Sequence, residues 1–266
     1  MKFRRLTALI TLIAICLATL TSCGKLEKKL AKAEDHFRSS PYKMDVTVDF
    51  TAEDEEIAGI FSELERSETT VYFDGTSFKS VNVMSIDTGD SLYKFSTVYT
   101  VIGQTAYRDI AYETDGIPSS PIKSYAFLDD AQRQTLAYKV SCVGGVTTGG
   151  FANLTDTKID KKTVSVLCTE ASDEVKESLR KMMVSFFEGS LERAVVKSVT
   201  LTLVLLDGHY KSAVVSCDYD VTIGGKVYSV SAAVNLAFDF GNDYKVYTPA
   251  DASEYSVIDP EDMMPL

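Results

Sequence analysis

VVKSVTLTLVLLDGHYKSAVVSCDYDVTIGGKVYSVSAAVNLAFDF, residues 195–240, alternates apolar and polar side chains in three long runs. Val195 to Leu206, Tyr210 to Ile223 and Lys226 to Phe240 each keep the period of two that turns one face of a strand to a core and the other to water. Asp207-Gly208, followed by His209, and Gly224-Gly225 separate the runs. Such pairs accept the positive φ of tight hairpin turns. Three strands of twelve or more residues exceed the usual length of about five or six, and long strands twist. The segment predicts an α+β fold built on a strongly curved antiparallel β-sheet.

Upstream, Tyr42 to Thr51 alternates in the same way, and strand-like runs follow at Thr69 to Phe73, Ser77 to Ile86, Ser91 to Ile102 and Thr105 to Glu113. Asp74-Gly75, Asp87-Thr-Gly-Asp90 and Gly103 stand between them, so an antiparallel meander is the simplest path. Residues 114–136, with Pro118 and Pro121, read as irregular apart from a short helix over Asp129 to Leu136. Further strands are expected at Ala137 to Val143 and Thr163 to Cys168, flanking the flexible Gly-rich loop 143–150. Helical spacing marks three segments. Lys25 to Phe37 carries Leu26, Leu30, Ala33 and Phe37 on one stripe, and Ala52 to Arg66 carries Ile57, Ile60, Phe61 and Leu64 on an acidic background broken by Gly59. The third starts at Ser172, a capping residue, with Asp173 and Glu174 where negative charge suits the helix dipole. Its apolar face holds Val175, Leu179, Met182, Met183, Phe186 and Phe187.

The chain begins with Lys2, Arg4 and Arg5, then an apolar run from Leu6 to Leu20. That run is shorter than the roughly 20 residues of a membrane-spanning helix, and with its basic start it reads as a secretory signal. Leu20-Thr21-Ser22-Cys23, followed by Gly24, is similar to a bacterial lipobox. The resemblance implies lipidation of Cys23, with two acyl chains in the bilayer, and two chains anchor stably where one does not. The expected organisation is a signal peptide at 1–22, a lipidated anchor and N-terminal helix at 23–41, one β-rich domain at 42–255 and an acidic, loose C-terminal tail at 256–266. The expected location is the extracytoplasmic face of a cell membrane.

Removing residues 1–22, with three basic residues and no acidic one, takes the net charge from −11 to −14. Such a surface repels phosphate backbones, so nucleic acid is not an expected partner. Cys142, Cys168 and Cys217 remain beyond the anchor, and Cys142 and Cys168, each on a strand-like segment beside one loop, are the candidate disulfide. The alternative is that each is a small apolar filler. No Cys/His spacing suits zinc, and no metal or cofactor is expected.

Signals for catalysis are isolated ones. Asp87-Thr88-Gly89 matches half of an aspartic-protease pair, and two carboxylates are needed to share the proton. Ser178 and Lys181 fit Ser-x-x-Lys without the companion motifs. His36 and His209 are the only histidines, one near the tether and one in a hairpin turn, with no nucleophile beside either. Asp129-Asp130 and Asp218/Asp220 could bind calcium weakly, against the reading of plain solvated surface carboxylates, and Asn153-Leu-Thr155 is a sequon without meaning on a bacterial lipoprotein. The expectation is a protein without enzymatic activity.

The lipobox, the N-terminal helix, the two meanders around a mid-chain helix, and the ending Phe238-Asp-Phe240 … Asp243-Tyr-Lys-Val-Tyr-Thr-Pro249-Ala-Asp251 together resemble the LolA/LolB and LppX/LprG type of bacterial lipoproteins. The resemblance implies a half-barrel covered by helices, whose apolar cavity carries acyl chains. In this chain Met182, Met183, Phe186 and Phe187 would line that cavity, unless they simply pack the core. The expected function is binding or carrying a lipid or other apolar small molecule. The alternative is an envelope interaction or scaffolding lipoprotein that meets a protein partner through its acidic surface and the Ala52 to Arg66 segment.

Overall fold

Among the described residues, thirteen strands join in one mostly antiparallel sheet with helices against it, a mixed α+β architecture. The computed structural model describes residues 26–55, 57–59, 67–87, 89–141, 148–186, 193–241 and 243–264. A helix at 26–39 (α1) leads into β1 (Tyr42–Ala52) and a helical segment, α2, of which residues 55 and 57–59 are described. The first meander is β2 (Ser67–Phe73), β3 (Phe78–Asp87), β4 (Leu92–Ile102), β5 (Thr105–Thr114), β6 (Ile117–Pro118) and β7 (Ile122–Phe127). Helix α3 (Asp130–Ser141) precedes β8 (Phe151–Lys158), β9 (Thr163–Ala171) and α4 (Asp173–Phe186). The three long strands are β10 (Arg193–Leu206), β11 (His209–Ile223) and β12 (Lys226–Phe240), and β13 (Ser256–Val257) and α5 (Pro260–Met263) close the chain.

The strand order is β13-β7-β5-β4-β3-β2-β1-β12-β11-β10-β9-β8. The first strand thus pairs with the last long one along its whole length, from Tyr42 opposite Phe240 to Ala52 opposite Val230. Tyr42, Met44, Val46, Val48 and Phe50 are buried while Asp45, Thr47, Asp49 and Thr51 are exposed. Direct cross-strand partners share a face, so the register carries this parity outward. Met44 faces inward with Val71 on β2, and Val48 with Val234, Val215 and Leu201 on β12, β11 and β10.

Two cores lie on that inner face. Leu26, Leu30 and Ala33 of α1, with Leu179 and Met183 of α4, pack over β1 and β9 to β12. Leu136 of α3 and Met263 of α5 pack over Val101, Ala106 and Ala126 of β4, β5 and β7. Gly150, just before β8, sits so close to α4 that an added Cβ would lie 2.4 Å from a Val175 methyl.

Asp207 and Gly208, and Gly224 and Gly225, have the positive φ expected of the long hairpins. Three elements differ from the sequence expectations. Residues 137–141 continue α3 instead of starting a strand. Asp129 caps that helix, accepting from the Gln132 N–H at 2.8 Å while Gln132 Oε1 accepts from the Asp129 N–H at 3.0 Å, a reciprocal capping box. The partner of β9 is instead β8, an edge strand mostly exposed and therefore without an alternating apolar signature. Within the supposedly irregular 114–136, Asp115 (φ 52°) and Gly116 (φ 80°) form a tight turn into β6, and β7 starts directly after Pro121.

The C-terminal residues, expected as a loose acidic tail, are docked. After β12 the chain crosses the outer face, where the Tyr244 hydroxyl donates to Asp239 and the Val246 N–H donates to Asp74 at 3.3 Å. Lys123 pairs with Asp251 and with Glu254 at 2.6 Å, and the Tyr255 hydroxyl donates to Asp109. β13 then pairs in parallel with β7 at the sheet edge, and α5 turns onto the inner face, where Met263 is fully buried. Ion pairs and an apolar anchor on opposite faces clamp the edge strand between them.

Replacing the buried Leu203 by Ala is predicted to lower the unfolding free energy by about 2–5 kcal/mol. Thr47→Ala, on the exposed face, should change it by less than about 0.5 kcal/mol. Urea denaturation of the two variants checks the assignment of faces, and equal losses would refute it.

Candidate functional site

The helices cover the inner face unevenly, and the gap between the two cores has a definite composition. Across β3, β4, β5 and β7 the cross-strand partners form rows. Phe78, Val101, Ala106 and Ala126 make the row beneath α3 and α5. Ser80, Tyr99, Arg108 and Ser124 make the next, a polar row, with Ser80, Tyr99 and Ser124 buried. Burial pushes the Tyr99 phenol up, and the charge and hydrogen bond of Arg108 offset part of that. Beyond it come Asn82, Thr97, Ile110 and Ile122, then Met84, Phe95 and Tyr112, and then Tyr93.

These outer rows are open. Ile122 is 54 % exposed, Tyr112 40 % and Tyr93 36 %, and Phe95 packs edge-on against Tyr112 with ring centroids 5.4 Å apart. They form an apolar shelf on the same face as the cores, bounded on one side by the polar row. Exposed apolar surface, where it is contiguous over several hundred Å², is a feature of interaction sites. The shelf escapes sequence reading because alternation in β4 and β5 reveals which residues share a face, but not that Ile122, Tyr112 and Tyr93 stay exposed on it.

The sequence candidates on α4 fall differently. Met183 is 1 % exposed and Leu179 is buried, both within the larger core, and the Tyr219 hydroxyl donates to the Leu179 carbonyl. The side chains of Met182 and Phe186, and the whole of Phe187, lie outside the described residues, as do Cys23 and Cys142. Beside α4, a groove of about 350 Å³ is lined by Asp173, Lys176, Glu177, Arg180 and residues 193–196, a charged wall unsuited to an acyl chain.

Cys168 and Cys217 are buried free thiols. Burial pushes each up to about 11, the wrong direction for a nucleophile. Ser178 and Lys181 stand on α4, with Lys181 exposed near Glu177. Asp130 pairs with Arg133, Asp220 with Lys197, and Asp218 accepts from Ser198 and Ser231, so these carboxylates are already engaged. Among the described residues there is no group of three metal-ligating side chains. His36 and His209, distant in sequence, are brought together with ring centroids 3.9 Å apart where α1 meets the β10–β11 turn. Phe240 flanks both, and Ser40 Oγ lies 2.8 Å from His36 Nδ1.

No family model and no curated protein matches the chain. Among solved structures it is similar to a β-barrel-like protein of a domain of unknown function, DUF1849, from Brucella abortus. The identity is 11 %, the alignment covers 77 % of this chain and 99 % of that one, and the TM-score is 0.32. An N-terminal dehydratase from the difficidin assembly line aligns at 10 % identity over 74 % of this chain and 78 % of that one, with a TM-score of 0.14. At these scores neither alignment bears on function.

The histidine contact has a measurable consequence. Burial, His209 and Lys32 hold His36 below its ordinary 6.5, so the unfolded chain binds a proton more readily than the folded one. Stability from this site is full above about pH 6.5 and is lost as pH falls through the lowered value. The urea midpoint of the wild type should drop between about pH 7.5 and about pH 5.5. In His36→Gln the drop should be smaller, and an unchanged drop would show that His36 is not the group responsible.

Proposed function

We propose that the protein is a non-enzymatic lipoprotein, anchored at the extracytoplasmic face of a bacterial membrane, that binds or carries a lipid or other apolar ligand. The observation that carries this reading is the open shelf of Ile110, Ile122, Phe95, Tyr112 and Tyr93 on the same face as the cores. Covering apolar surface contributes about 25 cal/mol per Å², so an acyl chain laid on the shelf gains what a covering helix would otherwise supply. This reading needs an open inner face and not the strongly curved half-barrel expected from the sequence, since the broad, mostly antiparallel sheet is not strongly curled.

The anchor rests on the sequence. The resemblance of Leu20-Thr21-Ser22-Cys23, after a short apolar run, to a lipobox implies two acyl chains on Cys23, and the described part of α1 starts at residue 26. The body is thereby kept near the bilayer from which a lipid would come. The likeness in arrangement to the LolA/LolB and LppX/LprG type supports the same reading. The apolar surface of α4 serves as core at Met183 and Leu179, so the ligand surface lies on the other half of the sheet.

Residues 24–266, purified without detergent, should carry a stoichiometric adduct of lipid mass by native mass spectrometry, recoverable by organic extraction. Ile122→Asp should remove it. A clean mass that persists after incubation with membrane lipids would contradict the proposal and favour a protein partner in the envelope. Metabolic labelling with a fatty acid should mark the full-length protein and fail to mark Cys23→Ala. Equal label on both would sink the anchor.

A further inference from the structure

Two buried groups in the polar row have no partner. Ser124 is 3 % exposed and its Oγ makes no hydrogen bond, and the buried Nε of Arg108 makes none either. Arg108 gives Nη1 to the Asp262 carbonyl of α5 at 2.6 Å and contacts the Tyr99 side chain. It has no carboxylate partner among the described residues. Buried polar groups are nearly always paired, and each exception calls for a cause. Unlike the other unpartnered buried atoms, at Asp109, His209 and Tyr210, these two lie side by side, since Arg108 and Ser124 are direct cross-strand partners, and the shelf begins in the next row with Ile110 and Ile122.

We propose that Arg108 and Ser124 receive the carboxylate of a long-chain fatty acid whose hydrocarbon chain lies along the shelf. This rests on the apolar-ligand reading above and adds the chemistry of the head. A guanidinium edge presents two parallel N–H groups that match the two oxygens of a carboxylate. One cation balances one negative charge, and a dianionic phosphate would leave charge uncompensated on a protein that is already at −11. The dimensions agree. From Tyr99 to Tyr93 the strand β4 runs about 20 Å at about 3.3 Å per residue, a length filled by an extended acyl chain of about sixteen carbons. The head then sits where the polar row is buried, and the tail where the surface is apolar and open.

The test is photolabelling of the full-length chain in phosphatidylcholine vesicles, using palmitic acid with a mid-chain diazirine and, in parallel, hexadecanol with the same group. Labelled peptides are mapped by mass spectrometry. The acid should label residues 92–112 and 117–127 about tenfold more than the alcohol, the equivalent of one hydrogen bond to a charged group. Arg108→Gln should bring the acid down to the level of the alcohol, whereas mere loosening of α5 would lower both together and overturn the assignment. Ser124→Ala, which removes an oxygen bonded to nothing, should leave the unfolding midpoint unchanged and lower acid labelling about threefold. Equal labelling of the wild-type shelf by acid and alcohol would overturn head recognition and leave the apolar-ligand reading standing. No labelling of the shelf would overturn both, and a dimeric mass in that case would assign the shelf to a second copy of the chain.

Discussion

The antiparallel pairing of β1 with β12 is the contact on which the rest of the structure depends. It joins the first strand to the last long one over eleven residue pairs, Tyr42 opposite Phe240 through Ala52 opposite Val230. Without it, β2 to β7 and β8 to β12 would be two separate meanders, each with an unpaired edge open to other strands. The pairing also fixes parity. A slip of one residue would turn Met44, Val46 and Val48 to solvent and Asp45, Thr47 and Asp49 to the core. Every inward residue on either side is aligned by reference to this one register.

Among the described residues, the helices cover only part of the inward face that these strands share. α1 and α4 serve the half around β9 to β12, and α3 with α5 serves the end of β4, β5 and β7. What remains is the polar row of Ser80, Tyr99, Arg108 and Ser124 and the apolar shelf beyond it. The strap at 243–257 secures the other face of the same strands through Lys123, Asp251, Glu254 and Tyr255. The proposed binding surface thus follows from where the described helices lie on the sheet, with the strap contacts on the opposite face of the same strands.

Much of this architecture was legible in residues 195–240, because alternation over twelve or more positions fits no helix and Asp-Gly and Gly-Gly fit the turns they make. The same signals placed β1 to β5 and α4. Where reading failed, the local code was weak or contested. β8 faces solvent on an edge and has few apolar residues to alternate, and residues 137–141 are too short a run to decide between periods once Asp129 and Gln132 have started a helix. Asp115-Gly116 did carry a hairpin signal, masked by the prolines nearby. The site was less legible than the fold. A helix displays its apolar stripe in the sequence, which is what points to Met182, Met183, Phe186 and Phe187. The shelf residues Phe95, Tyr112 and Ile122 look like any core positions in the sequence, and only the folded structure shows that Tyr112 and Ile122 stay exposed.

Native-state hydrogen exchange resolved by residue tests the central claim most directly. If the β1–β12 register unites the sheet, the amides of residues 44–50 and 232–238 should exchange together, through the same opening that exposes β10 and β11 and with the same denaturant dependence. Exchange of β1 to β7 through a separate opening of lower free energy, with β10 to β12 still protected, would contradict it. Two independent meanders merely in contact would then be the correct description.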